Sequence, residues 1–167
     1  MLSVILLLIS LIALDQISKF WIIQNLQIGE SIKIIDGLFS IGHIRNPGAA
    51  WGFLAETSWG IWLLTMFSFL VSCFLLFLLS KLQKGYLRFA FILLTAGSIG
   101  NLIDRFFRRE VIDFLSFQFG KYSFPSFNFA DSMIVIACFL LFIILISDDG
   151  WNEFEMVLAS FFKGSEE

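Results

Sequence analysis

The sequence predicts an all-α membrane protein: four transmembrane helices, a small extramembrane β-sheet segment at about 24–58, and a short amphipathic helix between spans three and four. Three observations predict it. Of the 167 residues, 58% are hydrophobic and only 15% are charged, too little charge to coat a soluble domain of this length. Four apolar runs approach the roughly 20 residues that cross a bilayer. Between the first two runs, "IGESIKIIDGLFSIGHIRNPGAAWGF" alternates apolar and polar residues and is broken by Gly29, Gly37, Gly42 and Pro47, a strand pattern. The 22 phenylalanines and five tryptophans agree, since lipid-facing and interfacial positions take aromatics.

Taken in order, span one covers about 2–23 and is apolar until Asp15. It has no basic start and no small-residue cleavage site, so it reads as a span and not as a cleavable signal peptide. Span two covers about 59–79. Span three, about 87–104, is the shortest and the most polar at its end, and span four covers 129–146. Residues 1–147 read as a single domain. The acidic tail 148–167 places Trp151, Phe154, Val157, Leu158, Phe161 and Phe162 on one helical face, which predicts an interfacial helix.

Four spans put both termini on one side. The tight turn "SKLQKGYLR" carries Lys81, Lys84 and Arg88 and argues for a cytoplasmic turn, although Arg105, Arg108, Arg109 and Lys121 nearly balance it in the next loop. Cytoplasmic termini are preferred because the polar residues need a common face. Asp15 and Lys19 come late in span one, Asn101, Asp104 and Arg105 end span three, and Asn128 and Asp131 open span four. Alternating direction gathers all of them at the end opposite the termini, beneath the connections 24–58 and 105–127. A polar chamber at one interface follows.

Helical spacing pairs Asp15 with Lys19, and sets Asn101 with Arg105 and Asn128 with Asp131 on shared faces. Two readings of Asp131 stand side by side: a first-turn carboxylate behind an Asn128 cap, or an intramembrane ionisable group kept for function. Asp104 beside Arg105 reads as a structural ion pair. "RFFRREVIDF" reads as a basic amphipathic helix on headgroups, with Asp113 exposed. Ala96 and Gly100 suit close helix packing. Cys73 and Cys138 lie within apolar runs and read as small core or lipid-facing residues, not as a disulfide or a metal site.

The chemistry narrows by what is present. There is no HExxH and no phosphate-binding glycine loop, the lone His43 has no carboxylate at metal spacing, and no basic stripe suggests nucleic acid. Ser18 and Lys19 are adjacent on a helix and point apart. Aspartate remains. Two carboxylates held close share a proton, so that one activates water while the other polarises a carbonyl, with no cofactor. A proton- or ion-coupled transporter using Asp15, Asp104 and Asp131 is the alternative, and it requires carboxylates spread through the membrane depth. A non-enzymatic scaffold is a third reading.

The ordered blocks "LDQISK" (14–19), "RNPGAAWGF" (45–53), "GSIGNLIDR" (97–105), "VIDF" (111–114) and "FNFADS" (127–132) resemble the lipoprotein signal peptidase family, also called signal peptidase II. The resemblance implies a four-span aspartic endopeptidase of the bacterial inner (cytoplasmic) membrane, with its site on the outer, periplasmic face. It implies substrates that are diacylglyceryl-modified prolipoproteins, met among membrane lipids and cleaved before the lipobox cysteine. On the matching positions it implies that Asp113 and Asp131 are catalytic, with Asp104 in support. It further implies that Asn46 and Gly48 contact substrate, that Asn101, Arg105, Asn128 and Ala130 shape the site, and that Asp15 and Lys19 are a structural pair. The chain departs from the family at Ala96 (glycine there), Ser98 (alanine) and Trp51 (phenylalanine).

Overall fold

The computed structural model describes residues 2–48, 54, 57, 59–82, 85–147, 151–152, 154–157 and 159. The elements are α1 (Leu2–Asn25), β1 (Ser31–Ile35), β2 (Phe39–Asn46), α2 (Gly60–Lys81), α3 (Tyr86–Arg108), β3 (Val111–Phe119), β4 (Tyr122–Ser123) and α4 (Phe129–Ile146). All four helices are long and apolar enough to cross a membrane. Their outer faces carry residues such as Phe20, Phe67, Phe74, Phe139 and Phe142 in exposed positions, where a bilayer, and not water, is the fitting solvent.

Helix α3 is central: 56% of its most apolar window is buried, against 22% or less in the other three. Its small residues explain why. Ala96 packs with Ala130, Met133 and Ala137 in the seam with α4. A Cβ on Gly97 would collide with the Ala130 carbonyl oxygen, and one on Gly100 would stand 2.7 Å from Asp15 Oδ2. The Ala96 methyl is accommodated in that seam. Ser98 faces Ser72 of α2 at 2.9 Å, so its hydroxyl is satisfied between helices.

The sheet is antiparallel in the order β1-β2-β3-β4. Only half of it comes from the 24–58 segment. The other half is β3 and β4, which replace the amphipathic helix expected between spans three and four. Two physical reasons account for this. Helix α3 runs on through "RFFR" and stops at Arg109, whose left-handed φ of 65° reverses the chain. The following "VIDFLSFQF" is β-branched and aromatic, and it supplies the ladder that a two-stranded hairpin needs for stability. The register Asn46↔Val111, Arg45↔Ile112 and Ile44↔Asp113 joins β2 to β3. Asp113 is consequently buried at 3% exposure, not exposed as "RFFRREVIDF" suggested.

His43 is buried, and its Nδ1 lies 2.9 Å from the Leu26 carbonyl oxygen, so it ties the end of α1 to the sheet. Cys73 and Cys138 are free and exposed. In the tail, residues 151–152, 154–157 and 159 are helical. Phe154 and Val157 pack on the cluster of Leu75, Leu78, Leu82, Leu87 and Phe91, while Trp151 and Met156 face outward. Leu158, Phe161 and Phe162, like Trp51 and the rest of "AAWGF", lie outside the described residues.

Candidate active site

Asp15 and Lys19 start the site from one face of α1. Their carboxylate and ammonium meet at 2.8 Å (Oδ2 to Nζ), and neither side chain is exposed. Lys19 also reaches Asp104 Oδ2 at 3.0 Å. A charge buried this completely is tolerated only when paired and hydrogen-bonded, and each member here is. Asp15 Oδ1 accepts the Ala130 N–H at 2.9 Å, so a carboxylate from α1 caps α4. Asp104 pairs closely with Arg108, accepts from Gln16 Nε2 at 3.3 Å, and accepts the Ile112 N–H at 3.2 Å. That last bond pins the start of β3 one residue before Asp113.

The expected Asp104–Arg105 ion pair is not the one that forms. Adjacent helix residues diverge, whereas residues four apart share a face, so Arg108 takes the carboxylate. Arg105 turns instead toward Ser68 at 3.4 Å and lines the cavity described below. The Asn101 side chain does not hydrogen-bond Arg105 either. Its Oδ1 accepts from Lys19 Nζ at 3.1 Å, and its Nδ2 donates to Asp131 Oδ1 at 2.7 Å.

Asn128 caps α4, as its spacing from Asp131 allows. Its Oδ1 accepts the Asp131 N–H at 2.9 Å, while Asp131 Oδ2 accepts the Asn128 N–H at 3.2 Å, a reciprocal capping box. The same asparagine donates Nδ2 to Asp113 Oδ1 at 2.8 Å. Asn46 donates to Asp113 Oδ2 at 3.0 Å, and its own Oδ1 accepts the Gly48 N–H at 3.0 Å. Every oxygen of Asp113 and Asp131 thus accepts from an amide N–H. Neither forms an ion pair among the described residues.

Both carboxylates line one cavity of about 840 Å³. Its sheet wall includes Ile44, Asn46 and Val111, its roof is Phe124–Phe127, and Ile134, Val135 and Ile136 of α4 carry it toward the lipid-facing surface. Burial first, and then the charge of Asp131, pushes the Asp113 carboxyl up from 3.8 to about 7; the bonds from Asn46 and Asn128 and the charge of Lys19 pull it back. Asp113 therefore holds or releases a proton near neutrality.

All sequence-predicted site residues within the described chain converge here. Asp15, Asp104 and Asp131 gather around Lys19 and Asn101 at one end of the helices, whereas the relay alternative required carboxylates spread through the membrane depth. Sequence reasoning missed Gln16 and Arg108 as partners of Asp104. The i, i+4 spacing from Asp104 to Arg108 was the available signal. It also missed the roof at Phe124–Phe127, for which no local signal existed.

A model of the family described as signal peptidase (SPase) II matches residues 7–147. The chain belongs to the signal peptidase II family. It is a membrane peptidase of aspartic type. Relatives within the family support this assignment. The chain is 42% identical over 139 residues to a lipoprotein signal peptidase of Bacillus pumilus (strain SAFR-032), covering 83% of this chain and 88% of that one. It is 40% identical over 142 residues to that of Bacillus subtilis (strain 168), covering 84% and 90%. A solved structure described as a bacterial membrane enzyme, at 2.3 Å, superposes with a TM-score of 0.74 at 33% identity, covering 88% of this chain and 89% of that chain. A second, at 1.9 Å, gives 0.71 at 34%, covering 87% and 94%. The signal peptidase II match ends at residue 147, so the tail helix lies beyond it.

Proposed function

We propose that the chain removes signal peptides from diacylglyceryl-modified prolipoproteins by means of an aspartate pair, Asp113 and Asp131, cleaving before the lipidated cysteine. The observation that carries this reading is Asn128, which donates its side-chain N–H to the Asp113 carboxylate and its backbone N–H to that of Asp131, at the wall of one cavity that is polar at one end and apolar at the other. Asp131 accepts N–H donors on both oxygens at the positive end of α4, an arrangement suited to an ionised carboxylate. Asp113, raised to about 7, holds the shared proton.

In the proposed reaction the Asp131 carboxylate takes a proton from water, and the hydroxide formed attacks the scissile carbonyl carbon. Protonated Asp113 donates to the carbonyl oxygen. Collapse of the tetrahedral species breaks the C–N bond, the amine leaving with a proton from the pair. The substrate's acyl chains lie along Ile134, Val135 and Ile136, and Asn46 and Gly48 meet its peptide. The site opens on the outer face of the membrane and the termini are cytoplasmic, with Lys81 and Arg88 at the inner turn.

The test incubates the purified chain in detergent with a diacylglyceryl-modified prolipoprotein peptide. Cleavage by the wild type, and none by folded Asp113→Asn or Asp131→Asn, is the expected result. Normal turnover by either variant sinks the pair, and cleavage lost in Asp104→Asn but kept in Asp113→Asn would reassign it.

A further inference from the structure

The side-chain amide of Asn101 stands between the buried ion cluster and the two carboxylates of the cavity, and bonds both groups. Its oxygen accepts from Lys19 Nζ at 3.1 Å and from Asn128 Nδ2 at 3.3 Å, and its N–H₂ donates to Asp131 Oδ1 at 2.7 Å. An amide is polar in opposite senses at its two ends, so this orientation has one alternative. Turned over, it would set N–H₂ against the ammonium and oxygen against the carboxylate, donor on donor and acceptor on acceptor. The Lys19 ammonium has three protons and three acceptors: Asp15 Oδ2 at 2.8 Å, Asp104 Oδ2 at 3.0 Å and Asn101 Oδ1 at 3.1 Å. It has no accepting atom of its own and no exposed surface.

We infer that Lys19 is a positioning residue for hydrolysis: as the nearer, and the charged, of the two donors to Asn101 Oδ1, it locks that amide with its N–H toward Asp131, and so fixes the rotation of that carboxylate. With Asn101 on Oδ1 and the Asn128 N–H on Oδ2, Asp131 is held from two sides and cannot turn about its Cβ–Cγ bond without losing both donors. The inference deepens the proposed function and rests on its reading of Asp131 as the base. The charged groups bearing on Asp131 are Asp113 from β3 and Arg105 from α3. Lys19 acts through Asn101, and Asp15 and Asp104 stand behind Lys19.

The test measures kcat and KM for a diacylglyceryl-modified prolipoprotein peptide across pH, using Lys19→Met, Asn101→Leu and the double variant in detergent. Each single variant is expected to lower kcat at least about tenfold with KM little changed, and to move the acid limb of the pH–rate profile about one unit to higher pH. The double variant is expected to be no worse than Asn101→Leu alone, because Lys19 then has nothing to act through. If Lys19→Met does not fold, Lys19→Met with Asp104→Asn, compared with Asp104→Asn alone, removes one buried charge of each sign and keeps the cluster balanced. A folded Lys19 variant with the parental kcat and acid limb overturns the inference, and so do losses that multiply in the double variant. Turnover by Asp131→Asn would instead overturn the underlying reading. An inactive Asp131→Asn with multiplying losses leaves that reading standing and removes only the role of Lys19.

Discussion

Two aspartate clusters lie on either side of Asn101 in this protein and are treated in opposite ways. Asp15 and Asp104 are matched against Lys19 and Arg108, two anions to two cations, with no exposure of either carboxylate. Asp113 and Asp131 form no ion pair among the described residues, and are held by Asn46, Asn101 and Asn128. A cation neutralises a carboxylate and removes it from proton chemistry. An amide orients a carboxylate and leaves its charge to be settled by burial and by its neighbour. The ion cluster fastens α1, α3 and the start of β3 together, and the amide-held pair faces the cavity.

That contrast can be broken at either side. The largest expected effect is on turnover. Asp113→Asn and Asp131→Asn each lower kcat by about 10³-fold or more in the peptide assay, while thermal melts in detergent show both folded. Asp131→Asn gives up part of the capping box and loses about 1 kcal/mol of stability; Asp113→Asn does not. Lys19→Met weighs more on stability than those variants do, with a loss of about 3–5 kcal/mol read from the melting curve beside its roughly tenfold loss of kcat, since it leaves buried Asp15 without a cation and Asp104 with Arg108 alone. A mild loss there would mean that the ion cluster is not what fastens the helices.

The pH dependence sharpens the comparison. Because Asp113 is raised from 3.8 to about 7, the folded chain keeps a proton that the unfolded chain releases. Its contribution to stability is full below about pH 4 and is lost as pH rises toward 7. Melting temperature should fall across that window in the wild type and lose this component in Asp113→Asn. Turnover should decline by about tenfold per pH unit above the alkaline limb near 7 as the Asp113 proton is lost. A limb that stays in place when Asp113 is replaced in a partly active variant would assign it to another group. The smallest effect concerns Ser98→Ala, which leaves the Ser72 hydroxyl buried without its partner, for about 1 kcal/mol in a melt and no change in kcat.

Asp131 shows how far local reasoning reaches. Its spacing from Asn128 supported a helix cap and its setting supported function, and the two readings are compatible. The capping box holds Asp131 in place with its backbone N–H satisfied, and Asn128 still has an N–H to give to Asp113. The Asp15–Lys19 pair was likewise legible, because four residues on a helix are one neighbourhood. Asp104 was misassigned to Arg105 by adjacency along the chain, where the helix puts Arg108 on the same face.

What the sequence determined by itself is whatever short-range periodicity encodes: four apolar spans, the strand pattern of β1 and β2, the capping box, and polar residues gathered at one end. What only the tertiary structure decided is β3 and everything that depends on it. Asp113 sits in a segment whose basic and aromatic residues also suit a surface helix. It becomes a buried carboxylate because β2 pairs with that segment, placing Asn46 beside it from 67 residues away. Hydrogen bonds between distant strands leave no mark in a local window, and burial, the cause of the raised Asp113 carboxyl, exists only once those strands have met.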